Sequence, residues 1–442
     1  LARVSQPIAG ELMNSFNYIE AVLEARSNPA PLSESKWKIR PQTQTLQSAR
    51  IHQNNKMKNF FLFPILLALV LACGTNSNQK KDVNMEKSYQ FLVGTYTENP
   101  QEGIHLVKFN PEKELLETTY LASEVENPSF ITSNRQQNLV FAVEETGGEN
   151  GGKVTSFRLN KLTERLEKIN SVFTEGDHPC HLSLDPSEEF LVSSNYSGGN
   201  LTVIPVDSDG NLSSEVQVVQ HSGSSIHPNR QQQPHVHSAV FHPEESKIFV
   251  GDLGTDQIYV YPFEKDSLNP IISSKESHFS VEPGSGPRHL TFNKEGNRLY
   301  LIHEITAEIG VYAYENGALG HLETHSLLPE DFSGEVGAAE VRISPDGNFL
   351  YASNRGDAND ITVFKVEKET GKLTKIQNIS SQGRLPRNFG ISPDGEYLIT
   401  GNQGSDNLVV FKRNSSTGKL ETTDFNLQIN KPVYLFFLEE GL

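Results

Sequence analysis

Cysteine, methionine and tryptophan are nearly absent from this chain: two, three and one among 442 residues. Two cysteines, Cys73 and Cys180, cannot build a disulfide framework, and no Cys/His spacing of a metal-binding kind occurs, so no structural metal is expected. Positive charge is also scarce. Lys and Arg number 38 against 55 Asp and Glu, a formal charge of −17. That balance argues against nucleic acid and anionic membrane surfaces as electrostatic partners, because both need a basic footprint. A small anionic substrate needs only a local cluster of Arg or His and is not excluded. Helix-period segments are missing from about residue 88 onward. Hydrophobic residues make up 36%, while Gly (33) and Pro (23) are frequent, a mixture suited to many short strands joined by polar turns.

Long apolar runs are absent with one exception. In MKNFFLFPILLALVLACGTNSNQKK a short basic start at Met57 and Lys58 precedes an apolar run, 60–71, and a small-residue junction at Ala72-Cys73. This is the anatomy of a secretory signal peptide, too short for a comfortable membrane span. VLAC (70–73) resembles a bacterial lipobox, which would make Cys73 the lipidated first residue of the mature chain. Translation is expected to begin at Met57, with residues 1–56 an upstream artefact or disordered, 57–72 the signal peptide and 73–87 a flexible tether. Export with a lipid anchor as the only membrane attachment follows from that reading. Cys180 is then left without a disulfide partner and is expected to be a small buried residue.

From residue 88 to 442 the chain repeats itself with a period of roughly 50 residues, the size of a four-stranded propeller blade. One strand recurs as GIHLVKF (103), GKVTSFRL (152), NLTVIPV (200), QIYVYPF (257), EIGVYAY (308), DITVFKV (360) and NLVVFKR (407). A hairpin precedes it each time, as in GPRHLTFNKEGNRLYLIHE and LPRNFGISPDGEYLITGNQ, with Asp-Gly or its variants supplying the tight turn. Six complete hairpins, an incomplete one at NKPVYLFFLEE and the early strand FLVGTYTE add up to seven blades. The spacing predicts an all-β, seven-bladed β-propeller of four-stranded antiparallel blades, closed by pairing the N- and C-terminal strands so that no long sheet edge is exposed. A closed ring of this kind is compatible with a monomer.

Aligned on the proline that opens each hairpin, the next residue reads Ser129, Cys180, His235, Arg288, Ala339 and Arg387. Three residues after the proline stand Ile131, Leu182, His237, Leu290, Val341 and Phe389, a core column that only His237 breaks. Glu145, Tyr196, Leu253, Glu304, Arg355 and Gln403 align just beyond the hairpin ends, preceded by Glu144, Asn195, Asp252, His303, Asn354 and Asn402. In a propeller these positions from separate blades converge at one mouth of the channel. The Asn and Asp side chains there most simply satisfy strand-end backbone groups; for His289 and His303 that role and a functional one balance. Three arginines, a carboxylate and an imidazole at one mouth form a costly arrangement without an anionic guest.

PHVH (234–237), GPRHLTF (286–292), the LIHE ending at Glu304, SPDGNFLYASNR (344–355) and LPRNFGISPDGEYL (385–398) resemble the lactonase seven-bladed propeller family, which includes propeller-type 6-phosphogluconolactonases and carboxymuconate-lactonising enzymes. The resemblance implies a metal- and cofactor-independent site in which His235 or His237, Arg288, Glu304 and Arg355 match the family's active-site positions. His235 is expected to be the chemical group, supported by His237, with Arg387, His289 and Asn195 as further substrate contacts. The expected activity is opening of a sugar-derived or other anionic lactone. A non-catalytic ligand- or protein-binding propeller and a muconate-type cycloisomerase are the alternatives.

Overall fold

The computed structural model describes residues 87–98, 103–123, 125–160 and 162–439. The expected signal peptide 57–72, the lipidation candidate Cys73 and nearly all of the tether 73–87 lie outside those residues. Seven four-stranded antiparallel sheets make up the described part. Blade 1 starts with the strand Ile131–Ser133, blade 2 with Pro179–Leu184, blade 3 with Val236–Phe241, blade 4 with Pro287–Phe292, blade 5 with Ala338–Ile343 and blade 6 with Pro386–Ile391. These first strands touch one another in order around the axis. Blade 7 is composite: Pro432–Leu438 is its inner strand and pairs with Tyr89–Thr95 from the other end of the chain. The ring therefore closes as its repeat predicts. Among the described residues, no helix is long and apolar enough to cross a membrane.

The local chemistry explains the blades. In the Ser-Pro-Asp-Gly turns Ser344 Oγ donates to Asp346 Oδ1 at 2.7 Å, and Ser392 repeats this with Asp394. Gly347 and Gly395 take φ near 72°, the left-handed region that a glycine enters without a Cβ penalty. Blades are pinned to their neighbours through buried hydroxyls. Tyr300 of blade 4 donates to Gly371 O at 2.8 Å, and Tyr351 of blade 5 donates to Gly418 O at 2.7 Å, each bonding to the outer turn of the next blade. Between blades the sheets bury Phe91, Phe141, Phe249, Phe364 and Phe411, so the core is spread around the ring.

One alignment of the sequence needs correction. In blades 2, 4, 5 and 6 the residue after the second strand donates its N–H to the residue just before the inner strand: Tyr196 to His178, Glu304 to Gly286, Arg355 to Gly337 and Gln403 to Leu385. In blade 3 that bond runs from Leu253 to His235. Val236, paired with Asp252, thus stands where Pro287, paired with His303, stands in blade 4. Pro234 is therefore not the proline of the repeat; the Asp252 Oδ1 that accepts the His235 N–H at 2.8 Å matches Asn354 Oδ1, which accepts from Gly337 in blade 5. His237, not His235, is therefore the counterpart of Arg288, Cys180 and Arg387. Ala239 takes the core position beside Leu182 and Leu290, so that column is unbroken.

Candidate active site

With this register the channel is lined by stacked rings. The outermost holds Tyr96, Glu145, Tyr196, Leu253, Glu304, Arg355 and Gln403; the one below it holds Ser129, Cys180, His237, Arg288, Ala339, Arg387 and Val433. Each side chain is aimed inward because it sits at the mouth end of an inner strand or in the first residue beyond its partner.

Glu304 is the hub. Its Oε2 lies 2.8 Å from Arg288 Nε, 3.0 Å from Arg355 Nη2 and 3.8 Å from His237 Nε2, while Oε1 accepts from Arg230 Nη2 at 2.5 Å. Burial alone would favour the protonated acid, but Arg355, Arg288 and Arg230 outweigh it and hold the carboxyl well below the usual range. Arg288 is 1% exposed; burial, with repulsion from Arg355 and Arg387, pulls it down to about 10, so it stays charged at neutral pH. The second carboxylate, Glu145, accepts from Tyr96 Oη at 2.9 and 3.0 Å and lies 3.7 Å from Arg387, which also covers the Tyr96 ring. Four guanidiniums thus meet two carboxylates. Arg230 is 40% exposed at its side chain, against 16% for Arg355 and 14% for Arg387, so the surplus positive charge faces the opening.

The two histidines of PHVH have different surroundings. His237 is buried, with Nδ1 3.6 Å from Cys180 Sγ. Burial first, then the nearby Arg288, His289 and Arg387, push it well below an ordinary imidazole, so it is neutral. His235 lies half-buried at the rim, stacked on the Tyr196 ring at 4.4 Å and 15°. Its Nδ1 is 3.0 Å from Tyr196 O. A carbonyl accepts only, so Nδ1 carries the proton and Nε2 keeps the lone pair. Tyr196 Oη in turn accepts from Arg230 at 3.1 Å.

Of the residues singled out from sequence, His237, Arg288, Glu304 and Arg355 form one contact network, with Arg387 beside it and His235 at its rim. His289 lies one ring deeper, its Nδ1 3.4 Å from Glu340. Asn195 is not brought to the mouth. It is fully buried and its amide bonds Asn200 Oδ1 at 2.8 Å and Thr202 Oγ1 at 2.9 Å, a strand-end role. Cys180 is buried, as expected, and so is its neighbour His181. Arg230 and Tyr96 were not anticipated. Tyr96 follows FLVGT and would have emerged by carrying the hairpin-end alignment into the N-terminal strand. Arg230 sits in the 221–235 connection, which is longer than the corresponding connections of the other blades, so the repeat alignment gives no signal there. Among the described residues no group of three or more His, Cys, Asp or Glu is placed to hold a metal ion.

A family model described as "Lactonase, 7-bladed beta-propeller" matches residues 90–437. The chain belongs to that family. Its curated relatives in the lactonase propeller family include a 6-phosphogluconolactonase of Bacillus subtilis, 32% identical over 80% of this chain and 99% of the relative. A 6-phosphogluconolactonase of Formosa agariphila is 33% identical over 77% of this chain and 96% of its own length. Among solved family structures, a periplasmic gluconolactonase of Pseudomonas aeruginosa superposes with a TM-score of 0.74 at 36% identity, covering 80% of this chain and 99% of that one.

Proposed function

We propose that this protein is a lactonase that hydrolyses a sugar-derived lactone carrying an anionic group. The observation that carries the reading is the mouth where Arg230, Arg288, Arg355 and Arg387 meet Glu304 and Glu145, the deeper carboxylate Glu340 being engaged mainly by Arg342. An anionic guest neutralises that surplus. Arg230 and Arg355, with mouth-facing N–H groups, bind the anionic group or the lactone carbonyl and stabilise the oxyanion formed on attack. Glu304, engaged by three guanidiniums, is a poor proton acceptor and acts by fixing them. His235, with Nδ1–H held by Tyr196 O and Nε2 open, is the acid–base group of the rim: Nε2 takes up a solvent proton and passes it to the ring oxygen as the C–O bond breaks.

The relatives named 6-phosphogluconolactonase support lactone opening, and the periplasmic gluconolactonase supports an exported member acting on an unphosphorylated sugar lactone. The signal-peptide pattern and Cys73 extend this to a lipid-anchored envelope protein. Cell fractionation tests that part: Cys73→Ala should move the protein from the membrane to the soluble fraction. For the activity, the purified protein and its His235→Ala variant are mixed with aldono- and glycuronolactones, with and without phosphate, and proton release is followed with chelator present. Opening that survives chelator and falls in the variant supports a metal-independent lactonase. Ring closure of a muconate-type diacid, or acceleration with no substrate, would reassign the mouth to lactonisation or to binding.

A further inference from the structure

Beneath the arginines the channel holds a small cavity, on the order of one water molecule in size, lined by Ser129, Cys180, Arg288, His289, Arg387 and Asn388 among others. Two of its polar atoms, Ser129 Oγ and His289 Nε2, are buried and have no protein hydrogen-bond partner; the residues are 4% and 7% exposed. Native interiors rarely leave such atoms unsatisfied.

The tautomer of His289 tells what fits. Its Nδ1 lies 3.4 Å from Glu340 Oε2. Glu340 is ionised: burial opposes this, but Arg342 and His289 pull the carboxyl down to about 2. The ionised carboxylate favours the tautomer whose Nδ1–H faces it, and Nε2 then presents a lone pair to the cavity. Asn388 donates its amide to the same carboxylate and Val341 N–H donates to the other oxygen at 3.1 Å, which fixes the dyad. The occupant must donate to an imidazole while accepting from guanidinium N–H groups. An anion meets only the second demand; water meets both.

We propose that this cavity binds the water that attacks the lactone carbonyl, with His289 Nε2 as its proton acceptor and Glu340 as the positioning residue behind it. The assignment rests on the lactonase reading above and deepens it. The water oxygen bonds to the carbonyl carbon, its proton passes to Nε2, the ring C–O bond breaks, and the alkoxide takes a proton from solvent at the rim. The imidazolium then returns its proton to water, so one water is consumed per turnover. The groups facing His289 are Arg288 on its own strand, Glu340, Arg387, His181 and His237. Burial and Arg288 lower the imidazole to about 4, with Glu340 pulling the other way, which keeps it unprotonated and ready to accept at neutral pH.

The test compares steady-state kinetics of the full protein with His289→Phe, Ser129→Val and Glu340→Gln on the lactone it opens best. His289→Phe should lower kcat by about 10²- to 10⁴-fold with KM within about twofold. Ser129→Val, which fills the cavity and leaves the dyad intact, should also lower kcat at unchanged KM. Glu340→Gln should move the acid limb of kcat to lower pH, because the carboxylate raises the imidazole's affinity for a proton; a merely structural role would not move it. Active wild type with a His289→Phe or Ser129→Val kcat within twofold overturns this assignment alone. Wild type that opens no lactone overturns both it and the reading beneath it.

Discussion

Arg288 Nε and Glu304 Oε2 meet at 2.8 Å in the channel, with 2% and 8% of the two side chains exposed. They come from the two ends of one hairpin, GPRHLTFNKEGNRLYLIHE, whose antiparallel pairing of Pro287 with His303 brings the termini together. The pair is only part of a group in which Arg230 and Arg355 share the same carboxylate. Removing the carboxylate leaves three cations facing one another. Glu304→Gln should therefore cost about 3–5 kcal/mol of stability, read as a drop in the urea midpoint, and reduce kcat/KM at least a hundredfold. Loss of activity at unchanged stability would mean that the carboxylate reacts and does not organise.

Arg230 offers the opposite case. It reaches Glu304 and Tyr196 from the connection between blades 2 and 3, and its side chain is 40% exposed. An exposed pair contributes little to folding, about 0–1 kcal/mol. Arg230→Ala should leave the melting temperature nearly unchanged and raise KM about tenfold for an anionic lactone, as one charge-assisted hydrogen bond is lost. For an uncharged lactone KM should hardly move. Equal effects on both substrates would remove Arg230 from anion recognition.

The architecture was legible because its signal is repeated: a polar turn with an apolar strand recurs seven times and a tight-turn hairpin six times, and a single weak copy, such as the one shared by 91–98 and 432–438, is fixed by the others. The site was legible where it uses repeat positions. Arg288 and Arg387 share one repeat position and Glu304 and Arg355 the adjoining one, and they converge for that reason. His235 and His237 were exchanged in register because Pro234 is not the proline of the repeat; the strand begins two residues later, at Val236, which no spacing rule encodes. Arg230 was invisible because its loop is longer than the corresponding connections of the other blades. Asn195 was drawn in by its place in an informative column, yet its amide is consumed by Asn200 and Thr202.

The buried imidazoles set a pH dependence of stability. Burial, the leading cause for each, holds His289 and His303 at about 4 and His181 and His237 well below the ordinary 6.5. Between 6.5 and the folded values the unfolded chain binds protons that the folded chain refuses. Stability therefore falls as pH is lowered through this window, by up to roughly 1.4 kcal/mol per pH unit for each imidazole. Glu304 acts in the same direction lower down: its carboxyl is depressed in the fold, so its contribution is present above 4.5 and lost below it. Thermal unfolding from pH 8 to 4 should show a plateau near neutrality and a steep decline below about pH 6. His289→Phe should make the decline shallower. A flat profile down to pH 5 would mean that these rings are protonated in the fold.

Asp252 stands in a column occupied mainly by asparagine: Asn195, Asn354 and Asn402 are at the same strand end. Its Oδ2 lies 2.8 Å from His221 Nδ1, and Tyr261 Oη lies 3.0 Å from His221 Nε2. Its Oδ1 accepts from His235 N at 2.8 Å and Gly254 N at 2.9 Å. The carboxylate therefore ties a buried imidazole on one side to the backbone of the rim histidine on the other. An asparagine keeps both faces only by donating its amide to His221 Nδ1, which forces the ring into the opposite tautomer and gives up the charge-assisted bond. Asp252→Asn should fold, since three other blades carry that residue there, but it should loosen the hold on the His235 backbone. A displaced acid–base group loses rate more than affinity, so kcat should fall on the order of ten- to a hundredfold with KM nearly constant. The nitrogen spectrum of His235 should show its Nδ1–H tautomer giving way to a mixture. An unchanged kcat with an unchanged tautomer would place the strand-end network outside catalysis and leave His235 held by Tyr196 alone.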